Sequence, residues 1–501
     1  MEAGTPLTVE RGIVIDDVTI VSTRDGSLAP SKAILVENGS IREVREAGSI
    51  LCAGTAQRIN APGKYAVPGY LDMHTHAMAS DAASSAHTLQ NFQLMIANGI
   101  TGFREMAGSK ELISQGNLLR KETEAGKRIA PELLIIPGDI LNIFPGQELG
   151  FFSESGEAAS SPAERARREV LKQKEYGAEF IKIVNVNREA FFAIQETAGE
   201  VGLHVAGHLN PVVTSIEASN AGLRAMEHLG ASLSLVVDCS TAEEMIRQKI
   251  TAPLPAPLLP GKPSPEMIRR IVANPRMLTW SQPGLAAGLQ FAIKTYSKEK
   301  ARALAKVFVK NGTWQVPTLI RIRTMQIPDD PTYVNDLNLK YVAPGTRAMW
   351  TELTEAYKER ASDDAKAAYR DLYDLQVKLV KLLKEEGVKM LAGSDMTGIY
   401  CIPGFSLLQE FRELSRAGLS PLEILQMTTL NGAEFLGREG TMGVVEKGKR
   451  GDLVLLDANP MENAGNLEKI HAVVLRGQYL SKTDLEKMKG DVETFYAKGR
   501  G

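Results

Sequence analysis

Both ends of the chain are patterned for β-structure, whereas the middle alternates between short apolar runs and amphipathic stretches. Near the N-terminus, two apolar runs flank Asn38-Gly39, a pair typical of a type I′ hairpin turn. Near the C-terminus, the apolar runs in 451–460 and 471–480 are bounded by turn-forming residues. The pattern predicts strands at both termini around a middle in which strands and helices alternate.

The middle of the chain contains eight apolar runs that we predict as core strands. Strands that alternate with helices form parallel sheets, and eight such units close naturally into a barrel. We therefore predict an α/β fold with a TIM-like (β/α)8 barrel over 65–437, in which two long intervals hold helical insertions at about 235–305 and 320–385. The predicted strands are 65–76, 100–106, 132–138, 179–185, 202–208, 222–229, 312–319 and 388–395.

Composition narrows the class of protein. The 501 residues include 58 Lys and Arg against 60 Asp and Glu, and this balance argues against binding to nucleic acid or to a membrane surface. The three cysteines are odd in number and far apart, which argues against a disulfide framework or a cysteine zinc site. No apolar run approaches a membrane span of about 18 residues. The start of the chain lacks a signal-peptide pattern, but a mature secreted chain with an added methionine would look the same, so the localisation stays open.

Histidine is rare, with seven in the chain, and four of the seven lie at the ends of predicted strands. His74 and His76 are two residues apart, so in a strand both side chains point to one face and could share a metal ion. His208 and His228 end the fifth and sixth strands, which are neighbours at the mouth of a barrel. His204 lies about 13 Å deeper along its strand, and we predict that it packs in the core.

Two further residues complete the candidate site. Asp395 follows the apolar run of the eighth strand, where it is either a helix N-cap or a metal-bound carboxylate that takes a proton from water. Lys182 lies between two isoleucines, where burial would lower the pKa of its amine. It either pairs with a carboxylate inside the barrel or, as a neutral amine, adds CO2. The resulting carbamate would present two oxygens that could bridge two cations.

Four segments resemble the amidohydrolase superfamily and, within it, the imidazolonepropionase-like branch. The likeness spans nearly the whole chain, and the segments read VPGYLDMHTH, GTWQVPTL, LSPLEILQMTTLNGAEFLG and GVVEKGKRGDLVLLDANP. The resemblance implies a small β-sandwich domain formed from both termini, 1–64 plus 438–501, beside the barrel. Imidazolonepropionase itself lacks the bridging lysine, and members that have it are similar to prolidase-type dipeptidases and to an ochratoxin-hydrolysing amidase.

The resemblance also implies a centre of two divalent metal ions, usually zinc. In such a centre, two dications lower the pKa of a bridging water towards about 7. Asp395 would take the proton of the metal-bridging hydroxide and deliver it to the leaving nitrogen. The implied ligands are His74 and His76 on one ion, His208 and His228 on the other, the N6-carboxylysine formed at Lys182 as the bridge, and Asp395.

The expected activity is hydrolysis of an amide or peptide C–N bond in a small molecule, such as a dipeptide or an N-acyl amino acid. Hydrolysis of cyclic amides, carbamates or esters by the same centre is the alternative. Deaminases of this fold have a glutamate where this chain has Pro211, so deamination is disfavoured. An inactive scaffold is disfavoured too, because all six ligand positions are filled. We expect a homo-oligomer that binds neither nucleic acid nor membranes.

A few other residues are candidates for the pocket. Glu105 stands where relatives often have aspartate, and it could change the pocket floor. The segment 141–152 offers aromatic side chains as lining. Arg188, Arg321 and Arg323 could bind a substrate carboxylate, although we expect a surface position for each.

Overall fold

The protein is a mixed α/β structure in a computed structural model that describes residues 6–78, 85–143, 161–231, 233–251, 264–396 and 398–499. The strands are β1 (Leu7–Val9), β2 (Ile13–Val21), β3 (Leu28–Glu37), β4 (Ser40–Glu46), β5 (Ile50–Cys52), β6 (Gln57–Asn60), β7 (Tyr65–Pro68), β8 (Tyr70–Thr75), β9 (Ile100–Glu105), β10 (Glu132–Ile135), β11 (Leu141–Ile143), β12 (Ile181–Val186), β13 (Val205–Gly207), β14 (Ala225–Glu227), β15 (Trp314–Val316), β16 (Leu453–Leu456), β17 (Ile470–Leu475) and β18 (Gln478–Leu480).

Helices occupy most of the intervals between the parallel strands and both predicted insertions. The longest is Asp363–Glu385. Ser362 is its N-cap residue, whose side chain accepts a hydrogen bond from Ala365 N, and the first turn carries two aspartates. Over the described ranges, none of the helices has both the length and the apolar character needed to cross a membrane. The α-helices are Ser85–Ala97, Lys110–Glu124, Pro162–Glu175, Arg188–Glu200, Ser215–Asn220, the kinked turn His228–Ala231, Ser234–Asp238, Glu243–Thr251, Pro265–Ala273, Leu285–Lys294, Lys298–Asn311, Leu319–Gln326, Pro331–Val334, Pro344–Arg360, Asp363–Glu385, Phe405–Arg416, Pro421–Met427, Leu430–Phe435 and Lys482–Ala497, and the 3-10 helices are Pro275–Leu278, Leu337–Tyr341 and Ala464–Glu468.

Strands from both ends of the chain share one sheet. Its order is β18-β17-β16-β7-β2-β3-β4, with β6 beside β2. β16 runs antiparallel to β7, with Leu453 opposite Pro68, so the last part of the chain pairs with the first. The predicted hairpin is confirmed, because β3 and β4 pair on either side of Asn38 and Gly39, which both have the positive φ of a type I′ turn.

A second sheet, of β1 and β5 only, lies against part of the terminal sheet. The contact is a small apolar cluster in which Val14 of β2 and Leu35 of β3 meet Ile50 of β5. The complete β-sandwich over 1–64 plus 438–501 stays a prediction.

The middle of the chain supplies parallel strands, as the pattern predicts. β8, β9 and β10 form a three-stranded sheet, and β11 to β15 form a five-stranded one. One apolar cluster collects side chains from both sheets, including Leu71, Phe180, Ala225, Trp314 and Leu391. The two parallel sheets therefore enclose a common core.

The predicted strand 65–76 is wrong in one respect, because it is two strands in two different sheets. β7 pairs in the terminal sheet, whereas β8 pairs with β9. The chain changes sheet at Gly69, where a Cβ atom would lie only 2.1 Å from Thr101 Oγ1. A residue without a side chain is needed at this close approach, and it interrupts an otherwise continuous apolar run.

The predicted eighth strand, 388–395, forms only an isolated bridge between Gln315 and Met390. At Gly393 the segment passes so close to β8 that a Cβ atom would lie 2.7 Å from His74 Cβ. A few individual hydrogen bonds join the segment to each sheet, and it forms no continuous strand pairing with either of them. Closure of a barrel therefore stays a prediction. These bonds run from Gln315 N to Lys389 O (3.0 Å), Leu391 N to Gln315 O (3.0 Å), Met73 N to Ala392 O (2.9 Å) and Asp395 N to His74 O (2.8 Å).

Candidate metal centre

All six predicted ligands line one cavity of about 400 Å³. Five of the residues lie on β8, β12, β13 or β14 or directly after these strands, and Asp395 ends the segment 388–395, so the fold brings them together across more than three hundred residues of chain. Their role as metal ligands stays a prediction at this point. The six are His74, His76, Lys182, His208, His228 and Asp395.

The backbone is strained where several strands deliver their side chains to the cavity. His228, Thr318 and Asp395 have φ values of 52°, 45° and 48°, in the left-handed region that residues with a side chain usually avoid. Such strain persists only where the surrounding structure imposes it, and it concentrates at functional sites. The strained positions therefore support this end of the sheet as the candidate functional site.

Three of the side chains are grouped closely enough to hold one ion. One ligand atom from each of His74, His76 and Asp395 lies within 4.8 Å of the other two. Asp395 Oδ1 is 3.3 Å from His74 Nε2 and 3.2 Å from His76 Nε2. Burial opposes the charge of Asp395, but His228 and His74 beside it hold the pKa of its carboxyl well below the usual range. The group thus offers two imidazoles and one ionised carboxylate, a common ligand set for zinc.

A buried chain of charged side chains fixes the orientation of His74. Its Nδ1 lies 2.6 Å from Glu227 Oε2, and Arg104 Nη2 donates to Glu227 Oε1 at 2.8 Å. Burial would raise the pKa of Glu227, but Arg104 and His74 outweigh it and lower that pKa to about 2. An ionised Glu227 can accept a proton from His74 Nδ1, and in that tautomer His74 Nε2 would present its lone pair to the cavity.

His228 and His208 form the other side of the site. His228 Nδ1 hydrogen-bonds Thr318 Oγ1 at 2.5 Å, and His228 Nε2 lies 3.6 Å from Asp395 Oδ2. The ring centroids of His208 and His228 are 4.9 Å apart. Burial lowers the pKa of both rings well below the usual value, which favours the neutral form in which an imidazole can act as a ligand.

Lys182 lies on β12 with its amine enclosed, and the residue is 1% exposed. Its Nζ has no hydrogen-bond partner within the described part of the chain. Burial lowers the pKa of the amine to about 8, although Glu227 and Asp395 oppose the shift. A substantial fraction of the amine is therefore neutral near pH 8, as addition of CO2 requires.

The predicted surface position of Arg321 is wrong. The residue is 7% exposed, and its Nε donates to Asp395 Oδ2 at 2.9 Å. Arg321 lies in the first turn of the helix that follows β15, so its side chain reaches the same end of the sheet as the predicted ligands. Arg188 is exposed as predicted, whereas Arg323 is half-buried in ion pairs outside the cavity.

His204 and Glu105 lie near the site without lining the cavity. His204 packs as predicted, with its ring stacked on Phe180 at a centroid distance of 5.2 Å, and burial lowers its pKa to about 3. Glu105 Oε1 lies 3.8 Å from His76 Nδ1, and Glu105 Oε2 accepts a hydrogen bond from Met78 N at 3.0 Å. Burial raises the pKa of Glu105 to about 7. Glu105 thus holds the chain that follows His76 in place.

Apolar side chains make up most of the remaining cavity wall, and both predicted insertions contribute to it. The first insertion supplies Ile271, Val272 and Pro275, and the second supplies Met325. Residues 144–152 of the predicted aromatic segment lie outside the described residues.

The sequence prediction missed Glu227, Thr318 and the inward position of Arg321. Glu227 is a charged residue inside a strand segment and directly precedes His228, which is a usable signal. Thr318 and Arg321 carry no comparable signal, because their role depends on a partner 90 or 74 residues away.

Short stretches of the chain match known proteins in sequence. Residues 373–500 match the amidohydrolase family. A 5′-deoxyadenosine deaminase from Methanobrevibacter smithii is 46% identical over 54 residues, which are 11% of this chain and 12% of that protein. A dihydroorotase from Trichlorobacter lovleyi is 30% identical over 136 residues, which are 26% of this chain and 30% of that protein. The chain thus matches less than a third of the length of either curated relative.

Solved structures match nearly the whole chain. Bottromycin amidohydrolase superposes with a TM-score of 0.67 at 20% identity, covering 99% of this chain and 92% of that one. Aspergillus niger ochratoxinase gives a TM-score of 0.58 at 16% identity, with 94% and 96% covered. A Xaa-Pro dipeptidase with methionine bound in its active site gives 0.59 at 15% identity, with 94% and 99% covered. At these identities, the likeness shows a shared fold.

Proposed function

Because the predicted resemblance to the amidohydrolase superfamily is confirmed by the family match and the fold, we propose that this protein is a metal-dependent hydrolase of carbon–nitrogen bonds in small molecules. The observation that carries the proposal is the convergence of four histidines, one lysine and one aspartate on one cavity. The binuclear, carboxylated-lysine form of the centre is part of this proposal.

The residues fit divalent metal ions. Lys182 Nζ and His74 Nε2 are both buried, and neither has a hydrogen-bond partner among the described residues. Buried polar atoms are rarely left in this state, and coordination would satisfy them. Glu227 is placed to hold the proton of His74 on Nδ1, as carboxylates beside metal-bound imidazoles do.

The site has enough ligands for two ions, which we propose to be zinc. When bound, the ions would activate a water molecule and polarise the scissile carbonyl group. Lys182 would first add CO2 as its neutral amine, forming a nitrogen–carbon bond and releasing one proton to solvent. The proposed ligands are His74 and His76 for one ion, His208 and His228 for the other, N6-carboxylysine 182 as the bridge, and Asp395.

Asp395 is the proton carrier in the proposed reaction. Its carboxylate is ionised, and its Oδ1 faces the imidazoles of His74 and His76. It can therefore accept a proton from the attacking water and pass it to the leaving nitrogen. The described cavity lining includes neither serine nor cysteine, so a water molecule is the proposed nucleophile.

The apolar wall favours substrates that carry apolar groups beside the scissile bond. A dipeptide or an N-acyl amino acid fits this description. Cyclic amides, carbamates and esters are the alternative, because the same residues would serve their hydrolysis.

We also propose that the two parallel sheets and residues 388–395 form one (β/α)8 barrel within 65–437. The hydrogen bonds that join this segment to both sheets and the apolar cluster shared by both sheets support closure. The β-sandwich domain of 1–64 plus 438–501 and a homo-oligomeric state belong to the same proposal.

Metal analysis with a matched pair of histidine variants tests the centre. Wild-type protein purified without chelator should contain close to two zinc or other divalent equivalents per chain. His208→Gln should lose metal, whereas His204→Gln should keep it, because His204 lies outside the cavity. One equivalent in fully active protein would refute the binuclear centre.

A substrate panel tests the reaction. Metal-loaded protein should hydrolyse at least one of several dipeptides or N-acyl amino acids, and chelation should abolish the activity. Hydrolysis of lactams, carbamates or esters alone would favour the alternative. If no member of the panel is hydrolysed by protein that holds two metal ions, the proposed activity is wrong.

A further inference from the structure

Arg321 connects the first insertion to Asp395. Its Nε donates to Asp395 Oδ2, while its Nη1 donates to Ala273 O at 2.6 Å and its Nη2 donates to Val272 O at 2.7 Å. The two carbonyl groups end the helix Pro265–Ala273, where helical carbonyls lack partners within the helix. One guanidinium group therefore contacts both the insertion and the carboxylate.

The contact is reinforced on both sides of the guanidinium. Ala273 O also accepts a hydrogen bond from Ile399 N at 2.9 Å, which ties the same helix end to the chain after Asp395. At Gly398, a Cβ atom would lie 2.4 Å from Arg321 Nη1, so the backbone runs directly against the guanidinium group. The position of Arg321 is thus fixed by several independent contacts.

The two oxygens of Asp395 have different surroundings as a result. Oδ1 faces His74 and His76, whereas Oδ2 accepts a hydrogen bond from Arg321 and lies 3.6 Å from His228 Nε2. We propose that Arg321 is a positioning residue that fixes the rotation of the Asp395 carboxylate, and that the first insertion is thereby part of the active site. The proposal rests on the proposed role of Asp395 as proton carrier.

The alternative role for a buried arginine at a cavity wall is to bind a carboxylate of the substrate. Arg321 has five N–H groups, and three of its nitrogen atoms already donate to protein acceptors. Three of the five N–H groups therefore serve protein acceptors and two remain, which favours positioning as the main role of Arg321 over substrate binding.

The test compares Arg321→Met with Asn274→Ala. Asn274 is the control, because its Nδ2 holds the same helix end to Met325 O at 3.0 Å. Arg321→Met should lower kcat at least about 10-fold, change KM less than about 3-fold and keep its metal content, whereas Asn274→Ala should keep kcat within about 3-fold of wild type. Arg321→Lys keeps the positive charge but not the planar set of donors. Its kcat should therefore lie between those of Arg321→Met and the wild type.

A crystal structure of metal-loaded Arg321→Met supplies a readout besides activity, and it should show the Asp395 carboxylate rotated from its wild-type orientation. An unrotated carboxylate would overturn the proposal. So would an equal loss of kcat in both variants, which would mean that Arg321 only holds the helix. A higher KM for an N-acyl amino acid but not for its carboxamide, with kcat unchanged, would make Arg321 a substrate-binding residue instead. If wild-type protein hydrolyses no amide, the proposed function fails, and the carboxylate orientation still decides this inference.

Discussion

Replacing Glu227 with glutamine tests the buried chain that orients His74. The carboxylate is fully buried between His74 and Arg104, and both partners are themselves buried. Glu227→Gln keeps the shape of the side chain but removes the only negative charge that contacts Arg104 among the described residues. Arg104 Nη1 already lacks a hydrogen-bond partner there, so the variant leaves a buried cation without compensation.

The magnitude follows from the cost of an uncompensated buried charge. Removing one partner of a buried ion pair typically costs about 3–5 kcal/mol of unfolding free energy. We expect the lower end, because the guanidinium of Arg104 also lies 5.9 Å from the ring centroid of Phe180 and 5.3 Å from that of Phe435, and these rings stabilise a cation. Metal affinity should fall about 10- to 100-fold, because His74 loses the group that orients it.

The assay is urea unfolding of chelated and metal-loaded protein, with zinc affinity measured by competition. Glu196→Gln is the control, since Glu196 pairs with Arg167 at 3.0 Å while their side chains are 61% and 47% exposed. Exposed pairs contribute at most about 1 kcal/mol, so the control should stay within that range of wild type. If chelated Glu227→Gln is as stable as Glu196→Gln, our account of the buried chain is wrong.

Three other substitutions probe the centre and the core. Asp395→Asn should lower kcat by roughly 100-fold or more with metal content retained, and near wild-type turnover would contradict its role as proton carrier. Lys182→Ala should lose metal and activity, and acetate or propionate should partly restore both. Bicarbonate should speed the reconstitution of the wild-type protein with zinc. An unmodified ammonium group at Lys182 in a crystal of active, metal-loaded protein would exclude the carbamate. Burial raises the pKa of Glu410 from 4.5 to about 8, so the free energy of unfolding should fall as pH rises between these values. Glu410→Gln should therefore flatten the pH dependence of urea unfolding and be more stable than wild type at pH 8, and an unchanged slope would rule out this carboxyl as its source.

The candidate ligands were predictable because each depends on local sequence. His74 and His76 share a face through the two-residue repeat of a strand, and His208, His228 and Asp395 each follow an apolar run. The residues that orient them were not predictable in the same way. His228 and Thr318 are 90 residues apart, and only the folded protein brings them within hydrogen-bonding distance.

In the fold, too, features that depend on neighbouring residues could be predicted from the sequence, whereas features that depend on distant residues could not. The parallel strands and the Asn38-Gly39 hairpin follow from apolar periodicity and turn chemistry. The break of 65–76 at Gly69 depends on Thr101 in a neighbouring strand, so the apolar pattern of that segment alone does not reveal it. The contribution of the insertions to the cavity wall likewise depends on how distant helices pack.

The sheet shared by both termini has a consequence for biosynthesis. β7 is translated several hundred residues before its partner β16. At typical rates of about 5–20 residues per second, one edge of β7 waits roughly 20–80 s for that partner. An unpaired strand edge is a template for wrong pairing, so the nascent chain is exposed to aggregation during this interval. We therefore expect chaperones and growth temperature to affect the yield of native protein in cells strongly. Their effect on the equilibrium stability of the finished protein should be smaller.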